Sequence, residues 1–129
     1  MRRLFQISIA LVILGHLVFA GMQAFAWGVV ADRLLGISDP AAVIKTAAVG
    51  TSFASYNFSI AVGLTLSFFL TINVQSKVHL TVLALIVFTA IVGYFGTGSL
   101  VILVARLLPA VVALLSLLVL TRKAQLPIS

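Results

Sequence analysis

A chain of 129 residues, 63% hydrophobic and only 8% charged, has too little polar surface to cover a water-soluble fold. Because a soluble domain carries about 25% charged residues, we expect lipid to surround most of this chain. The absence of cysteine excludes disulfides, thiolate metal sites and cysteine nucleophiles. The net charge of +6 does not indicate nucleic-acid binding, because the basic residues flank apolar segments, where they set membrane topology and contact lipid headgroups.

Four segments have the length and apolar character of membrane-spanning helices, which need about 20 residues. We predict spans over residues 5–27, 47–72, 78–94 and 99–120, within a single all-α domain over residues 1–129. The last two spans are separated only by the sequence Phe-Gly-Thr-Gly at 95–98. Its glycines interrupt an apolar run about twice the length of one span, which favours a tight helical hairpin. The predicted architecture is an integral membrane four-helix bundle.

The first span also has features of a secretory signal peptide. Arg2 and Arg3 precede it, and Ala24-Phe25-Ala26 has the small-x-small pattern of a cleavage site. Its apolar run is long for a signal sequence, so we expect it to be retained as a helix.

The distribution of basic residues predicts the orientation of the spans. An even number of spans puts both termini on one side, and five bases share that side: Arg2, Arg3, Lys77, Arg122 and Lys123. Arg33 and Lys45 lie opposite, in the first loop. Since cytoplasmic loops carry the excess of Lys and Arg, we expect both termini in the cytoplasm.

The first loop, residues 28–46, is the only long one and contains signals for short helices. Residues 29–35 are predicted to form an interfacial helix that Gly36 ends. Ser38-Asp39-Pro40 then indicates a helix start, with Asp39 as the cap and Pro40 at the first helical position.

Small residues recur every four positions in two of the spans and predict packing surfaces. They form two sets: Thr51, Ser55, Ser59, Gly63 and Ser67, and then Thr89, Gly93 and Thr97. Small residues let helices approach closely in lipid, so we expect Ser59 and Gly63 to touch another helix. The same surface is also suited to contact with a second copy of the chain.

Polar residues inside the spans are the candidates for a binding site, because polar groups at membrane depth often mark function. Those expected at similar depth, in the outer half or somewhat deeper, are His16, Gln23, Ser52, Tyr56, Asn57 and Arg106. Hydrogen bonding between helices is the alternative role for each, and Arg106 could instead extend to the headgroups. His79, at the start of the third span, is expected at the interface.

Arg106 has no acidic partner within any span, and Pro109 one turn later is expected to bend its helix. We therefore expect Asp32 or Asp39 from the loop, a lipid phosphate or a ligand carboxylate to pair with Arg106.

Known catalytic patterns are absent from the sequence. It contains no glycine-rich phosphate loop, no HExxH motif and no paired carboxylates. His16 and His79 lie on different spans at different depths and make a poor metal site. We therefore predict no metal and no cofactor, and the sequence favours a binding or structural role over an enzymatic one.

Several segments resemble a bacterial family of small integral membrane proteins called domain of unknown function 1304. They are His16, Gln23-Ala24-Phe25-Ala26-Trp27, Tyr56-Asn57 through Gly63-Leu64, Gly93 to Ser99, and Leu108-Pro109-Ala110. The resemblance implies four helices, a polar core around His16, Tyr56 and Asn57, and a multi-pass protein of the bacterial cytoplasmic (inner) membrane. The family typically has glutamate at the position of Gln23, Asn-Gln-Gly at 52–54 and glutamine at the position of Arg106, so proton chemistry that needs the glutamate is not expected here. The resemblance does not indicate which activity the protein has.

Three functions remain open. The first is binding or transport of a small-molecule or anionic lipid ligand in the outer-half polar cluster. The second is a structural or accessory subunit of a larger membrane complex, or a homo-oligomer built on the small-residue surfaces. The third is an intramembrane enzyme, which has only His16, Tyr56 and Arg106 to work with. Proton-coupled export is disfavoured because no acid lies inside a span.

Overall fold

The computed structural model describes residues 1–125, which form six helices and no strand. The predicted all-α class is confirmed for this part of the chain. The last four residues of the predicted domain lie outside the described range. The helices are α1 (Arg2–Phe25), α2 (Trp27–Leu35), α3 (Pro40–Lys45), α4 (Ala47–Ser67), α5 (Ile72–Thr97) and α6 (Leu100–Gln125).

Three of the four long helices are long and apolar enough to cross a membrane: α1, α5 and the part of α6 up to Lys123. The fourth, α4, has 21 residues and is long enough, but its most apolar stretch is less hydrophobic than those of the other three. Serine, threonine and asparagine interrupt its apolar residues. The length and apolar character of these three helices identify the chain as a membrane protein.

The predicted boundaries of the spans differ most around the turn between α4 and α5. The second span was predicted to reach residue 72 and the third to begin at 78, but α4 ends at Ser67 and α5 begins at Ile72. Residues 73–77, which were predicted to lie between the two spans, form the first turns of α5. A two-residue connection, Gly98-Ser99, joins α5 to α6, and Gly98 has a positive φ of 66° that favours glycine.

The hydrophobic core lies between α1, α4, α5 and α6. α1 packs extensively against α4 and α6, and α6 also packs extensively against α5, whereas α4 and α5 contact each other less closely. The buried core residues are Phe5, Ile9, Val12, Leu64, Leu83, Ile86, Ala110, Ala113 and Leu117. Phe5 and Leu117 belong to one cluster, so the start of α1 lies at the same end of the fold as the last turns of α6.

A buried polar contact fastens α4 to α5 at this same end. Ser67 Oγ donates to Leu64 O at 2.6 Å and lies 2.6 Å from Nε2 of His79. The His79 ring also packs against Phe5 and Phe68, with centroids 5.6 and 5.1 Å away. His79 is only 1% exposed and is therefore buried within the protein. Its position at the membrane interface stays a prediction.

The small-residue surface of α4 faces outward, contrary to the prediction. Thr51, Ser55, Ser59 and Gly63 are exposed, and a Cβ added at Gly63 would have no neighbour within 4 Å. The buried face of α4 consists instead of Gly50, Ala54, Asn57, Ala61, Leu64 and Ser67. On α5 the prediction is partly met, since the Cβ position of Gly93 lies 4.0 Å from Cγ2 of Ile102 on α6.

The first loop forms two short helices at the end opposite the basic residues of the termini. The predicted signals are confirmed: Gly36 ends α2 in the left-handed region with φ 68°, and Asp39 Oδ2 accepts a hydrogen bond from Ala42 N at 2.9 Å. Pro40 occupies the first turn of α3. α2 begins at Trp27, two residues earlier than predicted.

Candidate functional site

Trp27 anchors α2 against the start of α4 and thereby shapes the space beside it. Its Nε1 donates to Thr46 Oγ1 at 3.1 Å, and its ring lies over Gly50 so closely that a Cβ there would be 2.5 Å from Cδ2. Val30 and Ala31 of α2 are buried with it. α2 therefore lies along one end of the helix assembly rather than extending away from it.

A cavity of about 210 Å³ lies between α2 and the ends of the four long helices. Its walls are mostly apolar, and its polar lining residues come from four helices: Gln23 of α1, Tyr56 and Asn57 of α4, Thr97 of α5 and Arg106 of α6. The remaining lining residues are Phe19, Trp27, Val30, Leu34, Leu35, Phe53, Gly93 and Ile102. An apolar recess with a few convergent polar groups is the usual form of a small-molecule site.

Asn57 is the centre of the polar network in this cavity and is only 1% exposed. Its Oδ1 accepts a hydrogen bond from Arg106 Nη2 at 2.8 Å. Its Nδ2 donates to Phe53 O at 2.9 Å and to Gln23 Oε1 at 2.6 Å. One side chain thus links α1, α4 and α6, and these bonds satisfy its buried amide.

Arg106 determines how the two amides are oriented. A guanidinium only donates, so Asn57 must present its oxygen to Arg106 and its nitrogen to Gln23. The opposite orientation of Gln23 would let its nitrogen donate to Phe53 O at 3.1 Å and Phe19 O at 3.3 Å, but it would set that nitrogen against the nitrogen of Asn57 at 2.6 Å. We adopt the orientation in which Gln23 Oε1 faces Asn57, because it follows from the charged donor.

The Arg106 side chain is directed into the fold, as the sequence analysis predicted, and its charge meets only neutral groups in the contacts that the structure describes. Cζ lies 5.0 Å from the centroid of the Phe19 ring, a cation–π distance. Nε is buried and has no hydrogen-bond partner among the residues that the structure describes. The expected pairing with a loop aspartate is not seen: the described hydrogen bond of Arg106 goes to Asn57, and Asp39 caps α3.

A family model described as protein of unknown function (DUF1304) matches residues 10–118, which is most of the chain. The chain belongs to this family. No curated protein and no solved structure was found to match it. The DUF1304 match includes every polar residue of the cavity, from Gln23 to Arg106.

Of the six site residues predicted in this DUF1304 protein, the structure brings Gln23, Tyr56, Asn57 and Arg106 to one cavity. His16 and Ser52 do not line it. His16 is buried, and its Nδ1 lies 2.8 Å from Val12 O of its own helix. Ser52 is exposed and donates to Ala48 O at 3.0 Å. Ser52 therefore lies on the wrong face of α4 for the predicted cluster.

The apolar walls of the DUF1304 cavity were not predicted from the sequence. Phe19, Gln23 and Trp27 are spaced four residues apart, so they follow one face from α1 into α2. Phe53 lies one turn before Asn57 in the same way. This four-residue spacing from the polar residues is the signal in the sequence that could have identified Phe19, Trp27 and Phe53.

Proposed function

We propose that this DUF1304 protein binds a small ligand in the cavity beside Arg106. The observation that carries the proposal is the meeting of Gln23, Asn57 and Arg106, from three different helices, in one apolar-walled recess. A charged side chain inside a span is costly, so helix packing alone does not explain why an arginine lies here. A ligand that binds to the charge and to the hydrogen-bonding groups would explain it.

We also propose that α4 crosses the membrane together with the other three long helices. Its first half contacts the end of α1 through Asn57 and Gln23, and its last residue contacts α5 through Ser67 and His79. A membrane that α1 and α5 cross is then crossed by α4 as well. The polar residues that lower its hydropathy include Asn57 and Ser67, which are turned into the protein rather than toward lipid.

With four spans, the bases at the termini and at Lys77 favour a cytoplasmic location for both ends, in the cytoplasmic membrane of a bacterium. The cavity then belongs to the outer half of the membrane. A pair of reporters fused after Lys123, one active only in the cytoplasm and one only outside it, tests this orientation. We expect activity from the cytoplasmic reporter alone, and activity from the other would reverse the topology.

Filling the cavity tests the binding function. Gly93 lines the cavity, so Gly93→Phe should occupy it, whereas Gly63→Phe adds the same ring on an exposed surface. We expect a small molecule to co-purify with the wild type and with Gly63→Phe in mild detergent, and to be lost from Gly93→Phe, as measured by native mass spectrometry. Equal occupancy in all three proteins would place the ligand elsewhere or show that there is none.

The accessory-subunit function is a second candidate because α4 presents an outward surface of small residues: Thr51, Ser55, Ser59 and Gly63. Such surfaces allow close helix–helix approach in lipid. The same purification separates the two functions. A stoichiometric protein partner that Gly63→Phe removes and Gly93→Phe retains would favour the accessory function.

A further inference from the structure

The contacts of Arg106 indicate which chemical class of ligand the cavity takes. A guanidinium carries five N–H donors and a full positive charge. Here Nη2 donates to the neutral oxygen of Asn57, one ring lies 5.0 Å from Cζ, and Nε is buried without an acceptor. Neutral contacts leave the charge uncompensated in a mostly apolar site. The group that best compensates the charge of Arg106 is an anion with oxygen acceptors, such as a carboxylate or a phosphate.

The rest of the cavity is suited to a hydrocarbon chain rather than to a second polar group. Beyond the polar network the lining is aromatic or aliphatic, and it includes Trp27, Val30 and Leu34 of α2. Desolvated apolar walls of this kind favour apolar ligand atoms by the hydrophobic effect. A fully polar anion such as inorganic phosphate would leave these walls without contact.

The exposed side chains in the cavity wall lie mainly on α4 and α5, which indicates that the cavity opens sideways, between these two helices. Phe53 and Tyr56 of α4 line it and are 45% and 46% exposed, and the exposed Thr97 of α5 lines it from the other side. These two helices also make the fewest mutual contacts among the neighbouring long helices. In a membrane this opening faces lipid, so a molecule dissolved in the bilayer reaches the cavity without crossing water.

We propose that the ligand is a single-chain amphiphilic anion from the membrane, whose carboxylate or phosphate pairs with Arg106 and whose chain lies along Trp27. A volume of about 210 Å³ is below the range of about 300–1,000 Å³ typical of drug-sized ligands, so the chain extends out through the opening between α4 and α5. This inference rests on the proposed function and specifies the ligand of the same cavity.

The only tryptophan of the chain, Trp27, lines the cavity and reports on its occupancy directly. Dibromostearate is titrated into the full chain in non-ionic detergent, since bromine quenches indole fluorescence on contact. We expect saturable quenching that unbrominated stearate reverses. We also expect Arg106→Gln to weaken binding about tenfold or more, equivalent to about 1.4 kcal/mol, while the far-UV circular dichroism stays unchanged. Arg122→Gln, which removes an exposed arginine of the same helix, should bind as the wild type does.

Three further compounds distinguish this inference from the proposed function. The dibrominated alcohol of the same chain length should bind at least about tenfold more weakly than the acid. Equal binding of acid and alcohol would show that the ligand need not be an anion, while the cavity would remain a binding site.

Butyrate and inorganic phosphate should not compete with dibromostearate. If either competed as well as stearate, the ligand would be a free anion rather than a membrane amphiphile. Absence of saturable quenching by both brominated compounds would overturn the inference, whereas loss of the co-purifying molecule from Gly93→Phe would still support the binding function.

Discussion

Gly50→Ala is expected to destabilise the protein by about 1–3 kcal/mol, the range typical of overpacking in a well-packed site. The new Cβ would lie 2.5, 2.6 and 2.9 Å from Cδ2, Cε3 and Cγ of Trp27, distances that no relaxed structure tolerates. The indole cannot move aside easily, since its Nε1 is bonded to Thr46 and its ring is buried with Val30 and Ala31. The substitution therefore forces α2 away from α4.

Thermal unfolding in detergent and the emission of Trp27 measure the two consequences of Gly50→Ala separately. We expect a lower unfolding midpoint together with a red-shifted emission, because displacement of α2 exposes the indole to a more polar environment. A Gly50→Ala protein with the stability and emission of the wild type would show that the close contact between α4 and Trp27 does not exist.

Gly15 and Gly21 are matched controls within α1. A Cβ at either position meets nothing within 4 Å, and both residues lie inside a helix. Alanine is favoured over glycine in helix interiors by about 1 kcal/mol. Gly15→Ala and Gly21→Ala should therefore leave stability unchanged or raise it slightly, which is the opposite sign to Gly50→Ala. This contrast isolates the steric effect of Trp27 from the general effect of losing a glycine.

The long helices were predictable because each depends on local composition, whereas the face that each presents to its neighbours was not. α4 carries small residues on two sides, one through Ser55, Ser59 and Gly63 and one through Gly50, Ala54 and Ala61. The four-residue spacing on the first side suggested a packing surface. The structure buries the second side, where Asn57 reaches Gln23 and Gly50 accommodates Trp27. That choice depends on partners on another helix, which the sequence of α4 does not contain.

The candidate site was predictable in part, for a geometric reason. Gln23 and Arg106 were expected at similar depth and Asn57 somewhat deeper, and in the structure both Gln23 and Arg106 hydrogen-bond to Asn57. Ser52 was expected beside them by depth alone. Five residues separate Ser52 from Asn57, a rotation of about 140° around the helix, so the two side chains point to different faces. Depth in the membrane can be estimated from position along a span, but the direction of a side chain also depends on which face of the helix is buried.

Loss of the Asn57 network is expected to lower stability at least as much as Gly50→Ala does, because it leaves the charge of Arg106 without a partner. Asn57→Leu removes the acceptor of the Arg106 hydrogen bond and the donor to Gln23 Oε1. Leaving a buried polar group without its partner costs about 1–3 kcal/mol, and more for a charged group. We expect a loss of about 3 kcal/mol in the free energy of unfolding, measured by thermal or denaturant unfolding in detergent.

A double substitution distinguishes the loss of a hydrogen bond from the cost of leaving the charge of Arg106 buried without a partner. Arg106→Met removes the cation and keeps a long apolar side chain, but it leaves the buried Asn57 Oδ1 without a donor, so by itself it should cost about 1–3 kcal/mol. Combined with Asn57→Leu, it removes the group that the first substitution left without a partner. The double variant should thus be more stable than Asn57→Leu alone, with a coupling energy of about 0.5–3 kcal/mol. Arg122→Met, at an exposed position of α6, should show no such coupling with Asn57→Leu. Additive losses for Asn57→Leu and Arg106→Met would mean that the two side chains do not interact, and the cavity would then lack the polar centre on which its ligand chemistry depends.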